Sequence, residues 1–278
     1  MPSPPTAHAA IRANNLVWWC LYYDELLDDE AYQLTHLADA DAFYNCAQAV
    51  SDSGDHTFAA VEDFYRRRGM VPALYTDPNQ PEDLPSRARA HGYSPVPTED
   101  ELWFGYDLTD DTAFERPDHE VLRVEPDRVR ILEIDPHGRD LDTFLRINGD
   151  NNDLSASVRS RLANNLTRRR LRGVELTLLL VTLDGEPVAT GAMGLCRDMA
   201  FICESATEPH ARRKGIYSAL LRRRLETARE SGARHAYLTT ALDAQSGPAA
   251  LKLGFEQVWR REYLRQTRTD NRSLRKTI

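Results

Sequence analysis

Apolar residues follow two different rhythms along the second half of this 278-residue chain. VELTLLLVTL (174–183), PVATGAMGLC (187–196) and MAFICESAT (199–207) are compact apolar runs of strand length. DLDTFLRING (140–149), LSASVRSRLANNLTRRRLR (154–172) and the stretch from Gly215 to about Glu230 repeat apolar residues at spacings of three and four, the helical pattern. Asp184-Gly185 between the first two runs predicts a tight hairpin, because glycine tolerates the positive φ of a type I′ turn. Arg197-Asp198 leads into the third run. RVRILEI (128–134) reads as a strand ahead of the helices, and Ser231-Gly232 closes the long helix with a glycine suited to a C-terminal cap. HAYLTTAL (235–242) resumes a strand, followed by a short helix through Ala249–Lys252 and one closing strand, QVWRREYLRQ (257–266). The predicted order is β-α-α-β-β-β-α-β-α-β, an α/β (α+β) fold with a mixed, mostly antiparallel sheet.

The first half reads as a long helix around DELLDDEAYQLTHLADADAFYNCAQAV (24–50) and a second helix over HTFAAVEDFYRRRG (56–69), with Trp18, Trp19, Tyr22 and Tyr23 as core residues. MVPALYTD (70–77), PEDLPSRARAHGY (81–93) and ELWFGYDL (101–108) then read as strand, short helix and strand. These three mirror the end of the chain, where HAYLTTAL leads through a helix to Leu253-Gly254-Phe255 and a last strand. The match of His91-Gly92-Tyr93 with Leu253-Gly254-Phe255 suggests an internal structural repeat.

Charge changes the picture by splitting it. Of the net −8, residues 1–119 carry −15 and residues 120–278 carry +7. That asymmetry places a boundary near Glu115–Asp118 and gives the second half a field suited to an anionic ligand. The expected layout is a flexible tail over 1–15, one domain over 16–119 and another over 120–278, each large enough for its own core. No apolar run approaches the roughly 20 residues that span a bilayer, and the first ten residues lack the pattern of a signal peptide, so a cytoplasmic location without a membrane partner is expected. Cys20, Cys46, Cys196 and Cys203 lack metal-like spacing and are expected buried, with neither disulfide nor metal. Only three of 35 basic residues are lysine, which weakens any argument from an arginine run.

The most informative chemistry lies in residues 199–217, MAFICESATEPHARRKGIY. A strand there feeds Arg212-Arg213-Lys214-Gly215, and a helix begins. The first N–H groups of that helix lack intrahelical partners and the helix dipole adds positive charge, so a phosphate fits the turn. The first half has no equivalent: Arg66-Arg67-Arg68-Gly69 follows a helix, at the end with the wrong sign for phosphate.

With its element order, its Thr207-x-Pro209-x-x-Arg212-x-x-Gly215 signature and Lys252-Leu253-Gly254-Phe255, the chain resembles the GCN5-related N-acetyltransferase superfamily over residues 120–267. The first half then resembles a degenerate copy, as in tandem members of that superfamily. The resemblance implies acetyl-CoA, or another acyl-CoA, as co-substrate, with Arg212, Arg213, Lys214, Gly215, Ile216 and Tyr217 around its pyrophosphate. Tyr217 departs from the Gly or Ala usual there. Ser205, Ala206 and Thr207 would pair with the pantetheine through their backbone on a strand splayed by a bulge. Asp243 stands where the family has a cofactor-contacting asparagine and is read as either a cofactor contact or a helix cap.

Direct aminolysis of a thioester needs a neutral amine, and Glu204, in an otherwise apolar run, is the candidate base; the competing readings are a structural glutamate paired with an arginine and one that merely holds the substrate ammonium. The family's usual tyrosine acid is replaced by Ala250, which leaves Ser246 or solvent to serve the thiolate. Acceptor recognition is expected from Asn148–Asp153, Arg168–Arg172 and Trp259–Tyr263. The expected activity is N-acetylation of a small-molecule amine in a ternary complex. Two alternatives stay open: a carrier-protein or tRNA acyl donor docked on arginines 168–172 and 222–224, the one route by which a nucleic acid enters, and a non-catalytic CoA-binding protein. Oligomeric state is left open.

Overall fold

The computed structural model describes residues 6–38, 45–78, 80–109, 122–168 and 173–267. The chain opens with α1 (Ala7–Leu21) and a first unit of β1 (Glu25–Asp28), β2 (Gln33–His36), β3 (Ala47–Gln48), α2 (Asp55–Arg67), β4 (Ala73–Tyr75), α3 (Leu84–Ala90), β5 (Tyr93–Pro95) and β6 (Glu101–Asp107). After β7 (Val129–Glu133), α4 (Asp140–Asn151) and α5 (Ala156–Arg168) comes a second unit of β8 (Val174–Leu183), β9 (Glu186–Cys196), β10 (Met199–Thr207), α6 (Ile216–Glu230), β11 (His235–Ala241), α7 (Ser246–Lys252), β12 (Glu256–Arg261) and β13 (Tyr263–Gln266). The two units have the same order of elements. The repeat is therefore present in the fold, and the mixed α/β class expected from the sequence is observed.

The sheets run β1-β2-β3-β4-β13-β5 and β12-β6-β11-β10-β9-β8-β7. In both, one parallel step (β3 with β4, β10 with β11) interrupts an otherwise antiparallel sheet. The last strand of each unit crosses to the other: β6 lies antiparallel between β11 and β12, and β13 antiparallel between β4 and β5. A cut at 119/120 thus does not separate the sheets, although the linker around 115–118 itself lies outside the described residues. The closing run 257–266, expected as one strand, breaks at Glu262 because its two ends belong to different sheets.

A buried arginine fixes that crossing. Arg261 donates from Nε to Asp77 Oδ1 at 2.7 Å and from Nη1 to Gln48 Oε1 at 3.1 Å and Glu101 Oε2 at 3.3 Å, and its guanidinium lies 4.4 Å over the Tyr75 ring. Around it, Thr76 N donates to Glu262 O at 2.9 Å and Tyr263 N to Asp100 Oδ1 at 2.9 Å.

Two expectations for the first half are corrected. Residues 7–15 are helix rather than tail: the Thr6 hydroxyl accepts from Ala9 N, and Ala10, Ile11 and Val17 are buried against the second unit. Val17 occupies the space a Cβ on Gly194 would fill, its Cγ1 lying 2.3 Å from that position, so the glycine lets α1 sit directly on β9. The long helix over 24–50 is replaced by three short strands, in which Leu26 opposes Thr35 and Leu34 opposes Ala47. Leucine spacing there mimics a helix, and tertiary pairing overrides it. All four cysteines are buried, as expected.

Replacing Arg261 by Ala strands Asp77 and Glu101 without their cation. The expected loss is about 3–5 kcal/mol of unfolding free energy, read in urea titrations by tryptophan fluorescence, with both sheets lost in a single transition.

Candidate active site

β10 pairs in parallel with β11 only from Met199 to Ile202, while its pairing with β9 continues to Thr207 with a register shift between Cys203 and Ala206. Glu204 sits in that bulge with a φ of 52°. Beyond Ile202 the two strands part, and a cleft of ≈ 1180 Å³ opens between them. The bulge leaves backbone groups without ladder partners, and Arg224 of α6 meets them: Nη1 donates to Cys203 O at 3.1 Å, Ala192 O at 3.2 Å and Ser205 Oγ at 2.9 Å. Arg224 is fully buried, so it is not part of an exposed basic surface, and its neighbour Arg222 pairs with Glu226 at 3.2 Å.

One end of the cleft is the expected amide turn. Pro209–Ala211 make a 3₁₀ turn, Arg213 and Gly215 take left-handed backbone (φ 63° and 82°), and Gly215 caps α6 without a side-chain bond. The first intrahelical bond is Ala219 N to Gly215 O, so the N–H groups of Ile216, Tyr217 and Ser218 have no partner within the helix. Arg212, Arg213, Gly215, Ile216 and Tyr217 line the cleft, as do Ser205, Ala206 and Thr207 on the bulged strand. Arg212 is tied down by Thr207 O at 3.0 Å and Asn151 Oδ1 at 2.9 Å. Burial raises the phenol pKa of Tyr217 above its usual value, so the ring stays neutral.

Two expected contacts lie elsewhere. Lys214 is not in the cleft wall, and its carbonyl accepts from Arg123 N at 3.0 Å. Asp243 is exposed in the β11–α7 turn and does not line the cleft, although Ala241 and Gln245 on either side of it do; Gln245, not Asp243, holds the N-cap position of α7. Ser246 does line the cleft, and Ala250 is buried against the sheet in a cluster with Phe104 and Phe255.

The other end belongs to Glu204. Its Oε2 accepts from the Tyr22 hydroxyl at 2.6 Å, and its carbonyl accepts from Asn148 Nδ2 at 3.1 Å. Burial pushes its carboxyl pKa up, against a lowering pull from those two neighbours. The partner is therefore a phenol from α1 rather than an arginine, which the sequence did not reveal because Tyr22 lies 182 residues away. Trp18 and Tyr22, expected as core, also line this end.

Glu101 joins them from the exchanged strand β6. It accepts from Trp103 Nε1 at 3.2 Å, and Trp103 packs in the α1 cluster, whereas Phe104 packs under α6 and α7. Alternation along β6 thus puts Glu101 on the α1 face of the sheet.

The acceptor segments expected from sequence are redistributed. Asn148 and Asn151 belong to α4, and Asn151 and Asn152 reach the cleft. Trp259 stacks on Tyr237 at 5.5 Å, and Tyr263 is buried in the other sheet. The side chain of Arg168 and residues 169–172 lie outside the described residues. Among the described residues no helix is long and apolar enough to cross a membrane, and no group of three His, Cys, Asp or Glu is placed to hold a metal.

Residues 148–255 match the model of the acetyltransferase (GNAT) family, which spans α4 to the Gly254-Phe255 turn. Solved structures share the whole architecture at low identity. A GCN5-related N-acetyltransferase from Kribbella flavida superposes with a TM-score of 0.65 at 16% identity, covering 96% of this chain and 97% of that one. A GCN5-related N-acetyltransferase from Sphaerobacter thermophilus gives 0.62 at 16%, covering 91% and 84%. A tandem GNAT protein from the clavulanic acid biosynthesis pathway gives 0.63 at 16%, covering 86% and 79%. No curated protein matches the chain in sequence. The family match is thus to residues 148–255, and the chain as a whole shares the fold of these structures, with one order of elements repeated in its two units.

A buried carboxyl with a raised pKa works against the folded state once it ionises. Stability contributed by Glu204 is complete below its unfolded pKa of 4.5 and falls as pH rises toward the folded value. Glu204→Gln is therefore expected to unfold at higher urea concentration than wild type at pH 7, with the difference gone near pH 4.

Proposed function

We propose that the protein is an acyl-CoA-dependent N-acetyltransferase that transfers an acetyl group to the amine of a small molecule in a ternary complex. The observation that carries this reading is the parting of β10 from β11 after Ile202, which joins the amide turn at α6 to the buried carboxylate of Glu204 by one continuous cleft. The donor set suits the co-substrate. Unpaired N–H groups at Ile216–Ser218 and the guanidinium of Arg213 answer the pyrophosphate, and the bulged backbone of Ser205–Thr207 answers the pantetheine amides.

Acyl-CoA, when bound, supplies a thioester open to attack by an amine. Glu204 takes the proton from the amine: desolvation makes its carboxylate a stronger base than a solvated one, and it lies where the cleft meets α1. Ser246, at the start of α7, faces the cleft and stabilises the departing thiolate, a group basic enough to take its proton from solvent. Glu101 also lines the cleft on the α1 face, with its carboxylate paired to Arg261 at 3.3 Å.

Calorimetry with acetyl-CoA tests the first half of the reading, and an amine library assayed by release of free thiol tests the second. Gly215→Val, which forces a β-branched residue to φ 82°, is expected to weaken acetyl-CoA binding by about tenfold or more. Glu204→Gln is expected to keep that affinity and lose about 10²-fold or more in turnover. Binding without turnover of any amine would point instead to a regulatory CoA-binding protein.

A further inference from the structure

Among the described residues the first unit holds no phosphate turn, yet α1, the helix that precedes it, reaches the site of the second. α1 ends where the bulge begins, and the Tyr22 hydroxyl donates to Glu204 Oε2 at 2.6 Å, with the tyrosine 1% and the glutamate 9% exposed. Trp18, one turn earlier on α1, stacks on Tyr22 with ring centroids 5.4 Å apart. Gly194 brings this helix onto the sheet, and Asn165 Nδ2 of α5 holds its end by donating to Leu21 O at 3.0 Å.

We propose that Tyr22 is a positioning residue of the transfer reaction: its hydroxyl fixes the Glu204 side chain by occupying Oε2, leaving Oε1 to receive the proton of the acceptor amine. The inference rests on the base role given to Glu204 above. It makes the N-terminal helix a constituent of the active centre, with the base on the second unit and its orienting group on the segment that precedes the first.

Several other groups face the bulge. From α4, Asn148 holds the Glu204 carbonyl. From α6, Arg224 bonds the carbonyl of Cys203 and the hydroxyl of Ser205 on either side, and Tyr217 lies in the same wall. On β10 itself the Cys203 thiol is pushed well above its usual range by burial, so it stays neutral. From β6, Glu101 shares the cleft. Tyr22 donates directly to a carboxylate oxygen at 2.6 Å, and Asn148 adds a weaker pull of the same sign on the carboxyl. A phenol donating to a carboxylate favours the ionised form and opposes the effect of burial. Losing that donor raises the pKa of the base and frees its rotamer.

The test is Tyr22→Phe, which removes one oxygen and keeps the ring. Expected are an unchanged affinity for acetyl-CoA by calorimetry, a fall in kcat/KM for the amine of about tenfold near pH 7, and an acid limb of the pH–rate profile displaced upward by about one pH unit. Placing 3-fluorotyrosine at position 22, a stronger donor, is expected to move the same limb downward, a readout that does not depend on how well the phenylalanine variant folds. An acid limb that stays put in both proteins overturns the proposal. Glu204→Gln separates the two levels of inference: if it turns over at the wild-type rate, the base assignment itself fails, whereas an inactive Gln variant beside an unaltered Phe variant removes only the role of Tyr22.

Discussion

The whole architecture hangs on one buried guanidinium. Arg261 is 1% exposed and sits where β12 ends and β13 begins, the point at which the chain leaves one sheet for the other. Its partners come from three other places: Gln48 on β3, Asp77 just past β4 and Glu101 at the start of β6. Burying a charge is costly without matched partners, so this position accepts one arrangement of the four segments and penalises the rest. The exchanged strands are inner strands, hydrogen-bonded on both sides, so neither sheet is complete with its own residues alone.

A second strained element sets the site. The bulge at Glu204 costs β10 its pairing with β11 and holds a non-glycine residue at positive φ. Arg224 compensates by supplying the missing donors from below, and α1 and α4 meet the bulge from the opposite face with Tyr22 and Asn148. The cleft is thus defined by what the bulge removes. A straight β10 would close against β11, and the amide turn at α6 would face no opening.

Much of this was legible in the second half of the sequence. Long apolar runs, Asp184-Gly185 and Gly232 marked β8, β9, β10 and α6 almost to the residue, since long elements state their period clearly. The turn at 212–216 was legible for the same reason: its chemistry is local, set by a glycine and the free amides behind it. The first half was obscured by the shortness of its strands, two to four residues at β1, β2 and β3, whose leucines look helical until their partners are known. Tyr22, Glu101 and Arg224 escaped because each acts through a contact between distant segments. Asp243 was assigned by alignment to a family position, whereas the N-cap position of α7 falls two residues later, on Gln245.

The exchange of strands also carries a consequence for how the molecule comes into being. The first sheet needs β13, an inner strand made of residues 263–266, between β4 and β5. During synthesis the first unit therefore emerges with a gap in the middle of its sheet that stays open until nearly the entire described chain has left the ribosome. Loop closure over such a separation is slow, and unpaired strand edges invite aggregation while it is pending. Domain-by-domain folding, the usual route for a chain of two units, is denied to this one; the two halves acquire their native form together and late.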